Sequence, residues 1–114
     1  MLRTLNLFER NIIDNILKMN LNCNHIQGLL EQSKILKVKK RTYTGVGFYT
    51  DLEVQDKNLI LDENINLELG GIEPKIKGLN GEADFILWIK NGKIQCLEGF
   101  CYDGVWPKKP KIIG

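Results

Sequence analysis

Four carboxylates, Asp51, Glu53, Glu98 and Asp103, lie in or beside two stretches in which glycine alternates with aromatic rings. The first reads Gly45-Val46-Gly47-Phe48-Tyr49-Thr50-Asp51; the second runs from Leu97-Glu98-Gly99-Phe100-Cys101-Tyr102-Asp103 to Trp106-Pro107. Paired carboxylates serve acid–base chemistry or bind a divalent cation. Here no histidine, lysine or serine stands beside them at a catalytic spacing. Solvated charge on a strand edge is the plainest reading of the four. Between these extremes lies a partner-binding patch, in which carboxylates and the rings of Tyr49, Tyr102 and Trp106 meet another protein with no need for a tuned pKa. Trp106 has a second role open to it, pinning the chain end onto a sheet.

Other chemistries find little support. The Gly-Val-Gly-Phe run lacks the Gly-Lys-Ser/Thr ending and following helix of a phosphate loop. His25 is the single histidine, and Cys23, Cys96 and Cys101 contain no Cys-x-x-Cys pair. We therefore expect no zinc site, no cofactor and no catalytic residue, with three reduced thiols in a cytoplasmic setting. Cys96 and Cys101, five apart, should face opposite sides of one strand. Residues 1–10 have no signal-peptide pattern, and no apolar run is long enough to span a bilayer.

Charge is segregated along the 114 residues. Residues 1–45 hold eight basic and three acidic side chains, residues 46–106 five basic and eleven acidic, and the tail adds Lys108, Lys109 and Lys111. An acidic sheet half suits a basic partner. The dense run Lys34, Lys37, Lys39, Lys40 and Arg41 offers an alternative, tracking a phosphate backbone, although only Tyr43 follows it as a stacking ring. Lysines on an exposed strand also discourage edge-to-edge aggregation.

The elements that position these residues follow from periodicity. Leu7, Phe8, Ile12, Ile13, Ile16 and Leu17 form a helical stripe, and Asn6 with Glu9 has capping-box spacing. A second helix starts at Asn22 or Asn24, with Ile26, Leu29 and Leu30 on one side; close helix–helix packing would accommodate Gly28. After Lys34 the period becomes that of strands: Ile35–Tyr43, Phe48–Val54, Ile65–Leu69 resuming through Ile72–Ile76, then two runs around Asn91-Gly92, a strong hairpin signal. Trp88 reads as core. The expected fold is α+β: one domain over residues 1–114, with an antiparallel helix pair (1–34) on one face of an antiparallel sheet of about five strands (35–106), then a basic tail (107–114).

The order of two helices, a Gly-Val-Gly-Phe segment at 45–48 and a closing Leu-Glu-Gly-aromatic segment at 97–100 with Trp106-Pro107 resembles a group of small bacterial α+β proteins. That resemblance implies a stand-alone bacterial domain and transfers no catalytic residue. In size and character the chain is also similar to immunity proteins encoded beside polymorphic toxins, including those of contact-dependent inhibition. This second likeness implies stoichiometric occlusion of a basic toxin domain, such as a nuclease, by a monomer or weak dimer. The alternatives are a small ligand-binding or hydrolytic domain built on the four carboxylates, and a nucleic-acid-binding module built on the 34–41 lysine run.

Overall fold

A computed structural model describes residues 1–79 and 81–113. Helix α1 spans Leu7–Met19 and α2 spans Ile26–Ser33. Five strands follow: β1 Leu36–Tyr43, β2 Gly47–Val54, β3 Leu67–Leu69, β4 Ala83–Lys90 and β5 Lys93–Cys101, with a short 3-10 turn at Lys57–Leu59. They form one antiparallel sheet in the order β1-β2-β5-β4-β3. The helices pack against this sheet, α1 on β4 and α2 on β5, as the α+β reading expected.

The local causes are visible. Asn6 Oδ1 accepts from Glu9 N at 2.8 Å while Glu9 Oε1 accepts from Asn6 N at 2.9 Å, the reciprocal bond pair that starts a helix. Ile12, Ile13, Ile16 and Leu17 are buried along one side of α1, whereas Leu7, at its first turn, is 77% exposed and lies off the stripe. Helix α2 begins later than expected: His25 takes φ 71° as its cap, so residues 21–25 are connection rather than helix. Gly28 leaves room for a loop and not for α1, because a Cβ there would stand 2.6 Å from a Leu61 methyl.

Between β2 and β3 the chain crosses from one side of the sheet to the other, past the end of the β4–β5 hairpin. Backbone bonds from Leu61 N to Gly92 O and from Gly92 N to Ile65 O, both 2.9 Å, fasten the crossing loop to the Asn91-Gly92 turn. Gln32, fully buried on α2, clasps the same junction. It donates to Leu59 O and Gly92 O at 2.8 Å and accepts from Ile94 N at 2.9 Å. Three bonds satisfy a polar side chain that would otherwise be costly inside a core.

The two glycine-aromatic segments are partners in the sheet, with Phe48 opposite Gly99 and Tyr49 opposite Glu98. A Cβ on Gly99 would stand 2.4 Å from the Phe48 ring and 2.9 Å from Phe85, so this glycine makes room for two rings. Phe8, Phe48, Phe85 and Trp106 then pack with ring centroids 5.3–6.3 Å apart, mostly edge to face. Residues 72–76 do not resume β3. Only Ile76 bridges, to Ile112, since Pro74 carries no N–H for a ladder. Among the described residues no helix is long and apolar enough to cross a membrane.

Candidate functional site

With both helices on one side, the other face of the sheet is left to side chains that alternate outward. Rows run across it. Tyr49 of β2 stands opposite Glu98 of β5, which stands opposite Ile86 of β4. The next row is Asp51, Cys96, Trp88 and Glu68. Toward the other end, Phe100 stands opposite Asp84. Glu53 extends the β2 column and accepts from Gln55 Nε2 at 2.8 Å. Four of the residues singled out by sequence, Tyr49, Asp51, Glu53 and Glu98, thus share one face.

Trp88 also stands on this face, half-buried, not in the helix-covered core. Its indole N–H donates to Glu98 Oε1 at 3.0 Å, and Lys90 Nζ lies 5.2 Å from its ring centroid. The aromatic surface is therefore oriented by charged neighbours. Tyr102 closes the end of the face: its ring meets Phe100 edge-on at 5.5 Å, and its hydroxyl donates to Asp84. Hydrogen bonding to Glu98 raises the Tyr49 phenol above its ordinary pKa, and Asp84 does the same to Tyr102. Both rings stay neutral donors at physiological pH. Asp103 follows the end of β5 and is exposed, outside these rows. Trp106 lies on the opposite, helix side, 6% exposed and 5.3 Å from Phe48.

This face carries aromatic rings, carboxylates and one thiol. That thiol is Cys96, and burial, then the neighbouring Asp51 and Glu98 carboxylates, push its pKa up to about 12. A thiol so protonated is no nucleophile at neutral pH. Among the described residues no group of three or more histidine, cysteine or carboxylate side chains is arranged to hold a metal ion.

The basic run does not remain a stripe. Lys34 pairs with Glu31 at 3.2 Å, Lys37 stands opposite Glu53, and Lys40 opposite Asp51. A bulge at Lys39 shifts the register between Val38 and Lys40 and reverses the alternation, so Arg41 turns inward. There it makes the connection that sequence reading missed. Glu9, whose side chain is 4% exposed, accepts from Arg41 Nε at 2.8 Å, Arg41 Nη2 at 2.9 Å and Thr50 Oγ1 at 2.9 Å. Burial alone would raise the Glu9 pKa; the bonds from Arg41, Asn6 and Thr50 outweigh it and hold the carboxyl below its ordinary value. The capping spacing flagged Glu9, but nothing local announces a partner 32 residues away.

Comparison with protein-family models, with curated proteins and with solved structures returned no match, so the residues themselves carry the functional reading.

Proposed function

We propose that this chain is a binding protein that acts through its open sheet face, and that its partner is a basic toxin domain neutralised by stoichiometric occlusion. One observation carries the reading: Tyr49, Asp51, Glu53 and Glu98 gather with Trp88 and Phe100 on a sheet face that no helix covers. Half-buried aromatic side chains beside carboxylates are what protein interfaces use at their centres and rims. The carboxylates favour a cationic partner, and attraction between opposite charges speeds encounter. A nuclease presents such charge where it grips phosphates.

The lysine-run alternative gains less support, because Lys37 and Lys40 face carboxylates across β1–β2 and Arg41 is engaged by Glu9. The hydrolytic alternative keeps its carboxylates as bases but loses a thiol nucleophile, because the high pKa of Cys96 keeps it protonated.

Co-expression with a toxin domain encoded beside this chain tests the proposal. The unaltered chain should restore growth. The D51N/E53Q/E98Q variant should fold and fail to protect, while K37Q/K39Q/K40Q should protect. Protection by the first variant and failure of the second would sink the occlusion model.

A further inference from the structure

On the opposite side of the molecule, a cleft of about 700 Å³ lies between the start of α1 and the C-terminal tail. That volume is typical of small-ligand pockets. Phe8, Phe48 and Trp106 contribute aromatic walls, and Leu7, Tyr43 and Ile113 add side chains that are each more than 60% exposed. The tail is a held wall, not a loose strand: Lys77 N donates to Lys111 O and Ile113 N to Lys75 O, both at 2.8 Å.

The charge of the lining is one-sided. Among the described residues, Lys108, Lys109, Lys111 and Arg41 face a single carboxylate, Glu9, which Arg41 already occupies. None of the three lysines makes an ion pair among the described residues. Trp106 adds a second sign: its buried indole N–H has no acceptor among the described residues. A buried donor in this condition is uncommon and calls for a partner.

We infer that the cleft binds a small amphipathic carboxylate, with its apolar body against Phe8, Phe48 and Trp106 and its acid group toward the tail lysines. The Trp106 indole N–H is closed to solvent in the free cleft, so a ligand oxygen supplies its missing acceptor once the ring turns toward the ligand. This site is separate from the open sheet face, so toxin binding and ligand binding stand or fall independently.

The test uses decanoate below its micelle concentration, with decyltrimethylammonium and inorganic phosphate as comparison probes. Calorimetry on the whole chain should show saturable one-to-one binding of decanoate, with both comparison probes at least tenfold weaker. Nuclear magnetic resonance of the ¹⁵N-labelled chain should show the Trp106 indole N–H moving on titration while that of Trp88 stays. The K108Q/K109Q/K111Q variant, whose changes lie on exposed tail positions, should lose at least tenfold in decanoate affinity. Equal binding of the cationic probe, unchanged affinity in the lysine variant, or perturbations centred on Trp88 would each overturn the inference, as would no binding.

Discussion

Replacing Arg41 by methionine should cost more stability than replacing Glu9 by glutamine, although both break the same ion pair. The reason lies in exposure. The Arg41 side chain is 21% exposed and that of Glu9 4%. An orphaned guanidinium can turn to water, whereas an orphaned Glu9 carboxylate stays buried with only Asn6 N–H and Thr50 O–H to stabilise it. Breaking a buried pair by removing one partner costs about 3–5 kcal/mol, and Arg41→Met belongs at that level. Glu9→Gln keeps the shape but has one accepting oxygen where Glu9 used two, so its amide N–H₂ meets the Arg41 donors; about 1–3 kcal/mol follows. At a urea slope of about 1.5 kcal/mol per molar, Arg41→Met lowers the midpoint by roughly 2–3 M.

The pH dependence separates this account from a simple loss of packing. In the unaltered chain the Glu9 pKa is depressed, so its contribution is present above the unfolded value, near 4.5, and disappears as pH falls through the folded pKa. In Arg41→Met burial dominates and the folded pKa rises. The variant's penalty is then largest at pH 7 and shrinks toward pH 4.5, where Glu9 protonates more readily in the folded state. Urea unfolding followed by tryptophan emission at pH 4.5 and 7 measures both. The E9Q/R41M double variant should be about 1–3 kcal/mol more stable than the two single losses added together. A cost below about 1 kcal/mol for Arg41→Met at pH 7, or a cost independent of pH, would refute the reasoning.

Three further outcomes are expected. Gln32→Leu removes the acceptor of Ile94 N–H and two donors at the hairpin junction, and thermal unfolding should register a loss of about 3 kcal/mol. Gly92→Ala should destabilise by more than about 2 kcal/mol, since φ is +77° and a Cβ would stand 2.3 Å from Leu61 O; Gly45→Ala, at φ +88° with open space around it, should cost only about 1 kcal/mol in the same assay. With its pKa near 12, Cys96 should react with an aromatic disulfide reagent at pH 8 far more slowly in the folded chain than after denaturation, when all three thiols should titrate. Rapid modification of Cys96 in the folded chain would contradict the burial and charge argument.

Much of the frame was legible in the residue pattern because it depends on neighbours in sequence. The capping pair Asn6 and Glu9, the stripe from Ile12 to Leu17, and the Asn91-Gly92 turn with φ 52° and 77° all rest on interactions a few residues apart. The same alternation rule put Cys96 and Cys101 on opposite faces, and the structure agrees. Where local rules were extended they failed in identifiable ways. Trp88 reads as core by type but alternates outward, and residues 72–76 look strand-like yet make one bridge.

The gathering of Tyr49, Asp51, Glu53 and Glu98 needed two facts together: alternation along each strand, which sequence supplies, and the pairing of β2 with β5, which it does not. Pairing is a long-range choice, decided by which rings fill the space above Gly99 and by the route of the crossing loop over the hairpin turn. The bulge at Lys39 is the sharper case. Its single extra residue reverses the faces of Lys40 and Arg41, sending one lysine toward Asp51 and the arginine inward to a buried Glu9. Residue types along the chain determined that there would be an amphipathic helix, a turn and strands of known faces. Only the tertiary structure decided which charges meet, because an ion pair between residues 9 and 41 forms only after helix, strand and bulge have brought both into the same low-dielectric space.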